Sequence, residues 1–152
     1  MAITYAPKVG ELLECHYGEF PESTHLNFNN RIPPEIVKKR MVVVLNGKVC
    51  RNSVIVVPIS SSKDVGKIRE QLHIAIDPNL IQETHFYDRR ERWAKSEIIQ
   101  HVSKTRLFKI KDSNGQPLTQ HLPREIVADI QRAVIKAISA KSLLAAQPKV
   151  EE

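Results

Sequence analysis

The chain has 152 residues, 41% of them hydrophobic and 26% charged, with a formal net charge of +6 and a pI of about 9.4. That balance is ordinary for one soluble globular domain able to bury a core without staples, and with no run of 18 apolar residues it excludes a transmembrane helix. Met1 to Gly10 lacks the basic-then-apolar order of a signal peptide, and Cys15 and Cys50 are too few for a disulfide framework or a zinc ribbon, so a reducing cytoplasm is expected.

In chain order, Gly10 to Tyr17 reads as a strand, because Leu13, Cys15 and Tyr17 alternate with Glu14 and His16. Gly18 to Pro34 is polar, carries Asn27, Asn29, Asn30 and Pro33-Pro34, and predicts a long loop of the kind that is often functional. Met41 to Leu45 is a valine-rich buried strand, and Asn46-Gly47 is a turn signal. Ser53 to Ile59 is a second buried run, followed by Ser60, Ser61 and Ser62. Leu72, Ile74 and Ile76 predict a third strand, ended by Asp77-Pro78-Asn79. Leu80 to Arg92 is charged without a clean period and reads as loop with a helical turn.

Ser96 to Val102 predicts a further strand, Leu107 to Ile110 a short one, and Asp112 to Gly115 a turn. Arg124 to Ser139 is a helix: Ile126, Ile130, Ala133, Ala137 and Val127, Val134, Ile138 recur at spacings of three and four, and Pro123 suits the first helical position. Periodicity fades after Leu144, so 1–140 is expected to form the domain and 141–152 a frayed tail. Short strands followed by one helix predict a mainly β fold, a small barrel or curled sheet with a helical plug, in an order compatible with an SH3-like barrel.

The positive charge is clustered. Arg89 to Lys111 holds eight basic residues against Glu91 and Glu97, which equals the net excess of the whole chain. Lys38-Lys39-Arg40 is a second cluster. Such patches point to a polyanion partner or to a solvated surface with none. The six histidines show no metal-binding spacing, Ser60-Ser61-Ser62 sits in no nucleophile elbow, and the five glycines form no phosphate loop, so no metal or cofactor is expected.

Several stretches, in order, resemble the MazF/PemK family of type II toxins. They are Pro7 to Leu12, Pro34 to Leu45, Val54-Ile-Val-Val-Pro-Ile-Ser-Ser61, Trp93 to Leu107 and the helix after Pro123. The resemblance covers Pro7 to Ser139. It implies a small SH3-like (CcdB/MazF-type) barrel with a C-terminal helix and metal-independent endonucleolytic cleavage of single-stranded RNA. It also implies a cognate antitoxin, a homodimer, and a cytoplasmic, bacterial setting without membrane attachment.

In that chemistry a base takes the ribose 2′-hydroxyl proton, donors stabilise the phosphorane, and an acid protonates the leaving 5′-oxygen; DNA lacks the nucleophile. Arg40 matches the family arginine over the scissile phosphate, where a planar guanidinium suits phosphate oxygens. Ser60 stands where threonine is usual and keeps the hydroxyl; Met41 replaces the usual proline. Lys95 and Glu97 flank Ser96 as a basic residue and an aspartate do in some members, and as alternate strand positions would share a face; the other reading is a surface ion pair. Glu35, five residues before Arg40, matches a loop acid able to act as base or to orient Arg40, while Pro34 replaces a neighbouring histidine found in some members. Lys38, Lys39, Ser61, Arg89, Arg90 and Arg92 complete the expected RNA-contacting set.

A CcdB-like inhibitor acting on DNA gyrase by protein contact is the alternative on the same fold. That branch ends its helix in Trp-Gly-Ile, whereas here the tail ends Lys149-Val-Glu-Glu. An SH3-like adaptor would need an aromatic groove, and the eight aromatics are dispersed in sequence. The loop from Gly18 to Pro33 and the stretch from Lys63 to Arg92 are expected to shape RNA access or the partner surface.

Overall fold

The computed structural model describes residues 1–18 and 36–145. Seven strands carry the fold: β1 (Leu12–His16), β2 (Lys39–Cys50), β3 (Ser53–Ser60), β4 (His73–Ile76), β5 (Arg92–Lys95), β6 (Gln100–Ser103) and β7 (Leu107–Phe108). They form one antiparallel sheet in the order β4-β5-β3-β2-β1-β7, with β6 also paired to β3. The mainly β fold with a C-terminal helix is therefore present. Among the described residues the strand path runs open from β4 to β7, without the pair that would close a barrel.

The two valine-rich runs form the centre because both of their faces are covered. Met41, Val43, Leu45, Val57 and Ile59 pack with Ile76, Ile110, Val127 and Ile130 on one side. Val42, Val44, Val54 and Val56 pack with Leu13, Cys15, Val102 and Leu107 on the other. That double burial is why these strands read as continuous apolar runs rather than alternating ones. The helix α2 (Arg124–Ala137) lays Val127 and Ile130 on the first cluster, and each fully buried branched residue contributes about 1.5–3 kcal/mol. Pro123 is its N-cap, one residue before the first helical position.

Three sequence expectations are corrected. Asn46-Gly47 does not turn the chain: β2 continues through it with irregular register, and the hairpin closes at Arg51-Asn52. Gly47 is needed for another reason, since a Cβ there would lie 2.0 Å from the Pro7 carbonyl oxygen. Ser96 to Val102 is not one strand. β5 and β6 both pair with β3, and a 3₁₀ turn, Ser96–Ile98, interrupts them. Lys95 and Glu97 are thus not alternate positions of a single strand. A short helix α1 (Val65–Arg69) also forms, capped by the Asp64 side chain accepting from the Lys67 amide at 3.0 Å. Five residues are too few to show a helical period. The Gly18–Pro34 loop lies almost wholly outside the described residues, as does the tail from residue 146.

Candidate active site

Arg40 lies at the start of β2 and Ser60 at the end of β3, so both sit at one end of the sheet. The β2–β3 register pairs Met41 with Ile59, and continuing it by one step sets Arg40 opposite Ser60. Rigid neighbouring strands therefore deliver both side chains. Arg40 is exposed and its Nε donates to the Val37 carbonyl at 3.0 Å, which orients the guanidinium; among the described residues its outer N–H groups have no partner. Just before it, Lys38 adopts a left-handed backbone (φ 70°). Its amide donates to the Gly18 carbonyl at 2.7 Å, and its carbonyl accepts from the Tyr17 amide at 3.0 Å. These bonds clasp the two ends of the 19–35 segment at the base of the site. The Ser60 oxygen accepts the Ser62 amide at 3.2 Å, so its own O–H is available to donate.

These residues line a cleft of about 360 Å³ with Lys39, Ser61, His85, Asp88, Arg90 and Arg92. The far wall is the segment after residue 80. Arg90 pairs with Asp88, and the buried Arg92 donates to the Asp88 carbonyl at 2.9 Å and its carboxylate at 3.3 Å. The Arg90 hydrogen bond, aided by both guanidinium charges, holds the Asp88 carboxyl below its ordinary range. Burial lowers the Arg92 guanidinium, partly offset by Asp88. Arg92 also lies 5.7 Å from the Tyr87 ring centroid. Among the described residues one carboxylate stands against Lys39, Arg40, Arg90 and Arg92, so this lining is cationic and suits an anion. The wall is anchored by Tyr87, whose hydroxyl donates to Glu14 on β1 at 2.7 Å. Burial first, and then this bond, raises the phenol pKa.

Arg40, Ser60, Ser61, Lys39, Arg90 and Arg92 thus line one cleft. Lys38 belongs to the clasp behind them. Arg89 bonds Asn79 and does not line the cleft. Lys95 pairs with His73 across β4–β5, two residues along β5 from the Trp93–Ser60 pair, and Glu97 lies beyond it. Neither lines the cleft, and the Glu97 carboxylate is committed to the buried His73 at 2.5 Å. Glu35 lies outside the described residues. His85, Tyr87 and Asp88 were not singled out from sequence, because nothing local marks a charged, aperiodic stretch as the far wall of a site built on other strands. Among the described residues no cluster of three or more His, Cys, Asp or Glu side chains could hold a metal ion.

Residues 24–138 match the family described as PemK-like, MazF-like toxin of type II toxin-antitoxin system. The chain is 48% identical to the protein YifN of Escherichia coli strain K12 over 149 residues, covering 95% of this chain and 99% of that one. It is 53% identical to a protein of Haemophilus influenzae over 140 residues, covering 92% and 95%. The crystal structure of MazF (Form-I) from Deinococcus radiodurans superposes with a TM-score of 0.53 at 12% identity, covering 89% of this chain and 98% of that one, a likeness of fold.

Proposed function

The chain belongs to the PemK-like, MazF-like toxins of type II toxin-antitoxin systems, and on that premise we propose that it is an endoribonuclease that cuts single-stranded RNA by attack of the ribose 2′-hydroxyl. The observation that carries this reading is the placement of Arg40 and Ser60 at one end of two paired strands, in a cationic cleft. The guanidinium of Arg40 takes the non-bridging oxygens of the scissile phosphate, and the Ser60 hydroxyl donates to the charge that develops there. Arg90 and Arg92, steadied by Asp88, attract the backbone on either side.

Proton transfer requires a group in the same cleft. His85 is exposed on its wall, and imidazole suits acid–base work near neutrality. Glu35, close in sequence to Arg40, is the second group proposed for that part. Lys95 and Glu97, held against His73 on β4 and away from the cleft, are given no part in the chemistry. Two copies are proposed to join their basic surfaces into one channel, and an acidic antitoxin segment is proposed to cover it in the cytoplasm.

The test is a digest of single-stranded RNA with the purified protein. Cleavage should persist in EDTA, leave a 5′-hydroxyl and a 2′,3′-cyclic phosphate, and fail on a substrate with 2′-deoxyribose at the cut. A 5′-phosphate product, or loss of cleavage in EDTA, refutes the mechanism.

A further inference from the structure

We infer that the apolar cleft beside the Arg40–Ser60 site seats an unpaired nucleobase of the RNA, and that Phe86 is the surface on which that base stacks. The inference deepens the ribonuclease reading and rests on it.

A second cleft of about 560 Å³, within the range of ligand sites, adjoins the first and shares Lys39, Phe86 and Tyr87 with it. Phe86 and Tyr87 therefore form the ridge between the two. Sequence disperses the eight aromatic residues, but the fold gathers Tyr5, Phe86, Tyr87 and Phe108 into the walls of this cleft. Phe108 is already stacked on His16, with centroids 4.2 Å apart and planes at 22°. The rim carries Lys39, Lys109 and Lys111.

Phe86 is the telling residue because it is 86% exposed yet held in place. The amides of Phe86 and Tyr87 both donate to the Thr84 hydroxyl, at 3.2 and 3.1 Å. The Thr84 amide donates to the Tyr87 carbonyl at 2.9 Å, and Thr84 itself is buried. Tyr87 is tied in turn to Glu14. A large apolar ring on a turn this well bonded has little backbone freedom left to lose on binding.

Flat aromatic walls with a lysine rim fit a ligand that joins a π-face to an anionic backbone, as single-stranded nucleic acid does. Continuity favours RNA as the occupant: the cleft shares Lys39, Phe86 and Tyr87 with the one that holds Arg40, so a strand whose phosphate rests on Arg40 has a path for a flanking nucleotide across the Phe86 ridge. The lysines would also attract an acidic peptide, so the antitoxin is the competing occupant.

The test uses the oligonucleotide defined by the mapped cut, with 2′-deoxyribose at the scissile position, and follows binding by fluorescence anisotropy. Phe86→Ala should weaken binding about tenfold or more, and Phe86→Trp should restore it. The salt dependence should keep its slope, because no phosphate contact is lost. An abasic residue at one position beside the cut should weaken the unaltered protein equally and add nothing to Phe86→Ala. Circular dichroism confirms that the variant is folded. If the unaltered chain neither cleaves nor binds RNA, the ribonuclease reading falls and this inference with it. If it cleaves RNA while Phe86→Ala binds within twofold, or responds to the abasic scan like the unaltered chain, the inference alone is overturned, whether or not antitoxin binding has changed.

Discussion

Truncating Arg40 to alanine separates holding the phosphate from holding the RNA. The side chain is exposed and, among the described residues, makes one hydrogen bond, to the Val37 carbonyl. Removing it should therefore cost under about 1 kcal/mol of stability, a melting shift of a few degrees at most in a chain of this length. Cleavage should fall about a hundredfold or more, the loss expected when a donor to the developing phosphorane charge is removed. Binding should fall far less, because Arg90, Arg92 and Lys39 still line the cleft. With one phosphate contact gone, the plot of log affinity against log salt should flatten by about 0.7 for a single strand. Arg40→Lys should recover the salt slope but only part of the rate, since an ammonium lacks the planar fork. Single-turnover cleavage and anisotropy at several salt concentrations supply both quantities. A parallel fall in rate and affinity by one factor would make Arg40 a general binding residue, and an unchanged rate would remove it from the mechanism.

Three further outcomes follow from the same geometry. Glu97→Ala should lower the unfolding free energy, read by urea titration, by about 1–3 kcal/mol, because it strands the buried His73, while cleavage per folded molecule stays near that of the parent; the reverse pattern would return Glu97 to the catalytic set. Gly47→Ala should destabilise the fold by about 2–3 kcal/mol, read by urea titration, because its Cβ would meet the Pro7 carbonyl and backbone there has nowhere to yield; a neutral result would mean that the N-terminal segment shifts freely. Thiol alkylation at pH 8 should label only Cys50. Its exposed sulfur has a pKa lowered foremost by the Ser53 hydroxyl, whereas burial pushes Cys15 up to about 12, so Cys15 stays protonated and should react only in denaturant by mass spectrometry.

The sheet's centre was legible because valine and isoleucine buried on two faces leave continuous runs, and α2 because its apolar stripe repeats every three or four residues. Arg40 and Ser60, at the ends of those runs, were found through the family resemblance. What escaped depends on contacts between distant residues. Asn46-Gly47 has the composition of a turn, but the backbone passing at Pro7 is what requires the glycine. The break after Lys95 shows no glycine or proline; it arises where β5 gives way to β6 along the same neighbour, β3. His85, Asp88 and Phe86 gain meaning only when Tyr87 reaches Glu14, 73 residues away along the chain.

The clasp between Lys38, Tyr17 and Gly18 has an evolutionary consequence. Since the β1–β2 register fixes Arg40 against Cys15, the stretch joined at the clasp can change length without moving the guanidinium. Each doubling of such a connection costs only about 0.6 kcal/mol in closure entropy. Selection can therefore lengthen or shorten the stretch between Gly18 and Glu35 while Arg40 keeps its place against Cys15. For the same reason a short affinity tag inserted there should leave the sheet intact.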